Sequence, residues 1–176
     1  MRRLAFVLAL AAVAAGDSRP HLIFIMADDQ GWHNTGFHND DLLTPHTNQL
    51  VAEGVRLTNH YVYKFCSPSR SSFLSGRLAI HVNQENSATE QPGAGVPLNM
   101  TMLPTKLAAA GYRCHHVGKW HAGQATFGHI PAGRGFESSL GFFNFGEDHY
   151  TQVRGGQAGT AGSSPGRAAA AGAGRA

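Results

Sequence analysis

Residues 22–27, Leu-Ile-Phe-Ile-Met-Ala, form an unbroken apolar run that stops at Asp28-Asp29-Gln30-Gly31. Without polar alternation, such a run reads as a central parallel strand, here placed at residues 21–27, buried on both faces. Residues 31–43 are polar and rich in Asn, Asp, His and Gly, the composition of a loop. Thr44 or Thr47 then caps a short helix over residues 48–53, which Gly54 stops. Residues 55–63 are β-rich and predict a second strand. Residues 69–76 predict a short helix carrying Phe73 and Leu74, and residues 79–98 a loop with Pro and Gly at its centre. Thr101 is placed to cap a third helix with Leu103, Leu107 and Ala110 on one face. Pro104 falls in its first turn, and Gly111 ends it. Residues 112–117 predict a third strand, followed by Gly118-Lys119-Trp120-His121. Farther on, residues 134–145 read as an aromatic-rich surface loop or a segment packed on the sheet. The order strand, helix, strand, helix, helix, strand describes an α/β domain with helices covering a sheet. Three strands are few for strands buried on both faces, so the pattern looks like the front of a larger fold.

Both ends of the chain fall outside this pattern. Met1-Arg2-Arg3, an apolar stretch to Ala15 and small residues up to Gly16 have the layout of a secretory signal peptide, residues 1–16. Its apolar run is too short for a membrane span, so no span is expected after cleavage. Residues 155–176 contain no Leu, Ile, Val, Met or aromatic residue. They read as a disordered Gly/Ala-rich tail (residues 151–176), or as the product of a mis-spliced or truncated reading frame. The foldable body is residues 20–150.

This division changes the meaning of the charge. The formal net charge is +3, but Arg2, Arg3, Arg154, Arg167 and Arg175 lie in the two ends, and without those five the body carries −2. The body has no Lys/Arg cluster of the kind that binds a nucleic-acid backbone, so no nucleic-acid partner is expected. Cys66 and Cys114 are the two cysteines. A single bridge between them is the plain reading for a secreted protein, although the surroundings of Cys66 point elsewhere.

Chemistry-bearing residues gather after the predicted strands, where open α/β sheets place their ligands. Asp28 and Asp29 repel each other when both are ionised, a cost that a divalent cation relieves. All-oxygen donors suit calcium or magnesium. For both carboxylates to reach one ion, the chain must turn at Asp29. Cys66-Ser67-Pro68-Ser69-Arg70 opens onto a helix start, whose free N–H groups favour anions. Arg70 can clamp an oxyanion in bidentate fashion. Lys119 and His121 can bring a charge and an acid–base group to the same rim. His115 and His116 alternate across a strand, and no tetrahedral zinc spacing is present. The residues therefore describe a cation-bound anion site with a cysteine and an arginine in it, open to sulfate or phosphate esters.

Several ordered segments resemble the amino-terminal part of the sulfatase family. Residues 20–32 (Pro-His-Leu-Ile-Phe-Ile-Met-Ala-Asp-Asp-Gln-Gly-Trp) resemble its opening strand and metal loop, and residues 44–50 the segment after it. Cys66-Ser67-Pro68-Ser69-Arg70 with Leu74-Ser75-Gly76-Arg77 is similar to its modification signature. Gly111-Tyr112-Arg113 and Gly118-Lys119-Trp120-His121-Ala122-Gly123 are similar to its second signature. Residues 134–150 resemble the arylsulfatase B-like branch, which acts on N-acetylgalactosamine 4-sulfate.

The resemblance implies an α/β fold with an alkaline-phosphatase-like mixed sheet flanked by helices, present here only as an incomplete amino-terminal part. It implies that a formylglycine-generating enzyme of the endoplasmic reticulum oxidises Cys66 to formylglycine, with Pro68 and Arg70 helping to specify it. The hydrated aldehyde would attack the sulfur of a sulfate ester, release the alcohol, and expel sulfate as the aldehyde re-forms. One Ca2+ would be held by Asp28, Asp29 and the modified residue 66. Arg70 would orient and stabilise that residue, Lys119 would bind sulfate, and His121 would hydrogen-bond the diol. Substrates would be aryl sulfates or sulfated carbohydrates. The location would be the secretory pathway, secreted or of lysosome type, with Asn99 of Asn99-Met100-Thr101 a glycosylation acceptor. A complete family member supplies a further metal-binding pair, a further histidine and a further lysine from downstream segments, which this chain lacks. The alternatives are an inactive secreted fragment with residual anion binding, and a phosphoesterase of the same fold, which a serine at position 66 would suit.

Overall fold

The computed structural model describes residues 19–85, 89–148 and 150–151. The signal-like segment 1–16 and all of the tail except Thr151 lie outside the described residues. The chain divides between Arg56 and Leu57 into two units.

The first unit holds helix α1, Pro45–Glu53. Proline is tolerated there because the first helical N–H groups have no partner within the helix. Thr44 stands at the cap position without a side-chain capping bond. Its hydroxyl instead donates to Asn48 Oδ1 at 2.9 Å and accepts the Gly36 N–H at 2.8 Å, tying the polar loop to the helix start. Within that loop, Trp32 stacks on His38 at 3.7 Å, and the His38 ring reaches back to the Trp32 carbonyl.

The strand expected at residues 21–27 does not form. The segment is extended, but it joins no sheet among the described residues, and Ile23 and Ile25 are about 85% and 84% exposed. Residues 55–63 likewise form no strand. A strand buried on both faces requires neighbours on both edges. Apolar sequence without such neighbours stays extended and open.

In the second unit, α2 spans Cys66–Ser75, α3 spans Ala79–Val82 and α4 spans Leu103–Ala109. Strand β1, His115–Lys119, pairs in parallel with β2, Ser138–Phe142, in the register His115↔Ser138 to Lys119↔Phe142. The third expected strand is therefore present, shifted toward Lys119. Its partner arises from the segment read as a loop or packing segment. Two 3-10 turns, Phe127–His129 and Pro131–Arg134, lie in the crossover between the strands.

Helix α2 begins three residues earlier than expected. Pro68 fits because it lies in the first turn, and the first full helical bond runs from the Ser69 N–H to the Phe65 carbonyl. Gly76 ends the helix in the left-handed region at φ 66°, where a glycine costs little. Helix α4 starts after Met102, so Thr101 is not its cap. Its expected apolar face is also replaced, since Met102 and Pro104 go inside while Leu103 stays exposed. A first-turn position beside the core decided burial there, not helical periodicity. The core joins Leu74, Val96, Met102, Trp120 and Ala122, flanked by Phe73, Met100, Phe136 and Phe143. It lies directly under the residues that follow β1.

Candidate functional site

Cys66 is the first residue of α2, half-buried, at the end of the helix that carries partial positive charge. Ser67 and Ser71 behind it are buried, and the Asn83 amide donates to their hydroxyls at 2.8 and 3.4 Å. The Ser69 hydroxyl donates to the Tyr63 carbonyl at 2.7 Å, fixing the approach to the helix. Cys66 and Cys114 are both free thiols, so the disulfide reading is wrong. Cys114 is buried under α4, where its thiol donates to the Pro104 carbonyl. Burial, with the Glu137 carboxylate adding to it, pushes that thiol above its ordinary value.

Arg70 lies one turn after Cys66 and donates through Nη1 to the Lys119 carbonyl. This bond ties the cysteine-bearing helix to the end of β1. The same carbonyl faces His116 Nε2 at 3.4 Å, while His116 Nδ1 faces the Ser139 hydroxyl at 3.1 Å. A neutral imidazole has one donor. Nε2–H therefore donates to the carbonyl, and Nδ1 accepts from serine. His115 points to the opposite, exposed side, as strand alternation predicts.

The His116 ring packs edge-on to Trp120 and Phe136. Burial lowers its pKa below the ordinary 6.5; the bond to the Lys119 carbonyl opposes this, and the Arg70 guanidinium reinforces it. Between the lowered value and about 6.5 the unfolded chain holds more protons than the folded one, so stability rises with pH there. The contribution is complete above pH 6.5 and is lost as pH falls below it. Urea midpoints at pH 7.5 and 5.5 should therefore drop for the wild type and drop less for His116→Gln. Equal drops in both proteins would show that His116 is not responsible.

Past β1 the chain continues the ladder, with Trp120 N–H donating to the Phe142 carbonyl at 2.9 Å and His121 N–H to the Phe143 carbonyl at 3.1 Å. His121 is buried with φ 51°, an uncommon backbone state for a residue other than glycine. The segment around residues 89–96 straps this turn from outside. Val96 N–H donates to the Ala122 carbonyl, and Gln124 N–H to the Thr89 carbonyl. Lys119 Nζ lies 5.0 Å from the centre of the Phe145 ring, and the His121 ring meets Phe145 edge-on at 5.8 Å.

Asp28 and Asp29 belong to the first unit. Both are exposed, and the chain bends there, as two carboxylates serving one ion require. Their oxygens suit a hard cation by chemistry, but such a cation takes six or more oxygens. Among the described residues no group of three His, Cys, Asp or Glu side chains could hold a metal. The carboxylate pair can supply part of such a donor set. Asn99 is exposed, in the turn closed by the Met100 N–H on the Pro97 carbonyl. That turn is pinned by Arg134, a role sequence reasoning missed. Its buried guanidinium donates to the carbonyls of Pro97, Leu98 and Met100.

The sulfatase family profile matches residues 20–161. The chain belongs to the sulfatase family. This sulfatase-family chain is 43% identical over 145 residues to arylsulfatase J of Mus musculus, an alignment covering 81% of it and 24% of the relative. It is 38% identical over 138 residues to arylsulfatase A of Bos taurus, covering 76% of it and 27% of the relative. The crystal structure of Ps i-CgsB superposes with a TM-score of 0.65 at 32% identity, over 70% of this chain and 28% of that one. The same protein in complex with k-i-k-neocarrahexaose gives 0.63 at 31% identity, over 69% and 27%. The α/β class expected from the sequence stands, as an incomplete part of the alkaline-phosphatase-like fold. The sulfatase-family chain spans about a quarter of the length of the relatives it matches. Among the described residues, no helix is long and apolar enough to cross a membrane.

Proposed function

We propose that this chain carries the nucleophile-bearing part of a sulfate-ester hydrolase site, with Cys66 as the precursor of formylglycine. The observation that carries the reading is the Arg70 bond to the Lys119 carbonyl. It joins a Cys-x-Pro-x-Arg helix start to a Gly-Lys-Trp-His strand end in a sulfatase-family chain. When formed, formylglycine supplies a hydrated aldehyde as nucleophile. Arg70 holds the helix start against β1 and keeps cationic charge beside it. Lys119 binds sulfuryl oxygens, and His121, held by backbone bonds on both sides of the turn, serves as hydrogen-bonding partner and proton carrier. Asp28 and Asp29 contribute two oxygens toward a Ca2+ that further donors would complete. Substrates would be aryl sulfates or sulfated carbohydrates such as N-acetylgalactosamine 4-sulfate. The carbohydrate class is supported by the oligosaccharide complex of the related Ps i-CgsB. The partner enzyme would be the one that generates formylglycine, reached through a signal segment at residues 1–16. Residues 20–150 would form the catalytic portion, and Asn99 would carry a glycan in a secreted or lysosome-type compartment.

The second reading is a secreted chain that binds anions without turnover. One experiment separates the readings. The chain is expressed through the secretory route, the peptide containing residue 66 is weighed, and hydrolysis of an aryl sulfate is followed. Replacement of the Cys66 sulfur by aldehyde oxygen is expected, with Pro68→Ala and Arg70→Ala lowering the converted fraction. A fully retained thiol overturns the hydrolase reading. Conversion with no hydrolysis supports the non-catalytic one.

A further inference from the structure

We infer that Phe145 is a specificity-determining residue of the anion site, an aromatic wall that orients Lys119 and takes the ring of a ring-bearing sulfate ester. The inference rests on the sulfate-site reading above and assigns a contact for the alcohol side of the ester. Phe145 lies just past β2, in the segment sequence reasoning left as an aromatic-rich loop. It touches both groups proposed to handle the anion, with the Lys119 ammonium over its ring and the His121 ring against it edge-on. A π face attracts an ammonium without neutralising it, as a carboxylate would. Phe145 is therefore a contact that can direct the Lys119 ammonium toward a sulfuryl group.

The ring is also held in place. The Phe145 N–H donates to Asn144 Oδ1 at 2.9 Å, and the Asn144 amide donates to Glu90 Oε1 at 2.6 Å. Buried Thr89 places its hydroxyl 3.5 Å from the Phe143 carbonyl and 3.4 Å from Asn144 Oδ1. The strap that closes over the β1 exit thus also fixes the base of Phe145. Yet Phe145 remains 53% exposed. A large apolar ring held half open beside a cation and a histidine suits a ligand with an anionic end and a flat apolar face. Aryl rings and the C–H face of a pyranose both have that chemistry.

The test titrates the isotope-labelled 176-residue chain with inorganic sulfate, methyl sulfate, phenyl sulfate and N-acetylgalactosamine 4-sulfate. Dissociation constants are read from the Lys119 and His121 amide resonances. Phenyl sulfate should bind about 5-fold tighter than methyl sulfate to the wild type and to Phe145→Tyr, as expected for one aromatic contact. In Phe145→Leu, which keeps bulk without a π face, that ratio should fall to about 1, and inorganic sulfate should also bind more weakly because Lys119 loses the ring that directs it. A ratio for the amino-sugar sulfate over methyl sulfate that falls in the same variant identifies the pyranose face as a second occupant. A phenyl-to-methyl ratio unchanged in Phe145→Leu overturns the inference. Nuclear Overhauser contacts between phenyl sulfate and the Phe145 ring in the wild type give an independent readout if the leucine variant loses its dispersed spectrum, and their absence also overturns it. Failure of inorganic sulfate to bind the wild type sinks the sulfate-site reading, and this inference falls with it. Sulfate binding without ring preference sinks the inference alone.

Discussion

Replacing Trp120 by alanine is expected to destabilise the second unit by about 3–5 kcal/mol, the usual range for losing a buried tryptophan. Trp120 is among the largest fully buried side chains of the described residues. Its ring packs edge-on to Phe136 at 5.9 Å and to His116 at 5.5 Å, and it belongs to the cluster joining α2, α4 and the β1 exit. Its indole N–H donates to the carbonyls of Gly123 at 2.8 Å and His129 at 3.0 Å, so alanine also leaves two turn carbonyls without that donor. Trp120→Phe keeps most of the ring and loses the donor, and should cost less, about 1–3 kcal/mol. Urea unfolding followed by far-ultraviolet circular dichroism measures both. A loss below about 1 kcal/mol for the alanine variant would mean that Trp120 does not hold this core together. The residue lies between Lys119 and His121. Its loss should therefore also broaden the amide resonances of both neighbours before the chain unfolds.

Gly141→Ala is expected to cost about 2–4 kcal/mol through a different mechanism, steric conflict between paired backbones. Gly141 pairs with Gly118 across the two-stranded sheet and has φ 151°. A Cβ placed on it would run into the Gly118 carbonyl, which is backbone and cannot rotate away. Relief requires the strands to separate at that rung. The next rungs hold Trp120 N–H on the Phe142 carbonyl and His121 N–H on the Phe143 carbonyl, so separation should loosen both. Hydrogen exchange of the Trp120 and His121 amides, measured beside the urea midpoint, tests this. Unchanged protection at both amides would show that the sheet absorbs the side chain without opening. Gly76→Ala is the useful comparison. Gly76 is also left-handed, but its added Cβ meets nothing within 4 Å, so only the backbone conformation is penalised. It should cost about 1 kcal/mol.

The legible parts of the sequence were those governed by local rules. Gly54 ends the first helix, although that helix begins at Pro45 and not at Asn48; Gly111 sits in a left-handed position just beyond a helix end, and residues 112–117 point to the strand that forms at His115–Lys119. Each depends on a residue's own backbone preference or on the few residues beside it. Strand β2 was not legible, because Ser138-Ser139-Leu140-Gly141-Phe142 has weak strand character by itself. It becomes a strand only because β1 offers a parallel edge in register. The opposite error has the same cause. Residues 21–27 have strong strand character, yet no partner edge among the described residues takes them up, so they stay open. Arg134 was quoted for its motif and missed for its role. Three carbonyls brought around one guanidinium have no signature in sequence.

Read as chemistry, the spacing of Cys66, Pro68 and Arg70, the Gly-Lys-Trp-His segment and the carboxylate pair reached a cation-bound anion site for sulfate or phosphate esters; the family came from the resemblance of those segments to the sulfatase signatures, in agreement with the family profile over residues 20–161. Cys66 illustrates both the reach and the limit of that information. Its sequence neighbours resemble the family's modification signature, and Pro68 fits the first turn of the helix that Cys66 begins. Only the tertiary structure decided that Arg70 would reach across to the Lys119 carbonyl, that His116 would share that acceptor, and that Phe145 would settle against Lys119 and His121. Those contacts join residues far apart in the chain, and their partners are chosen by packing of the core beneath them, which no local preference encodes.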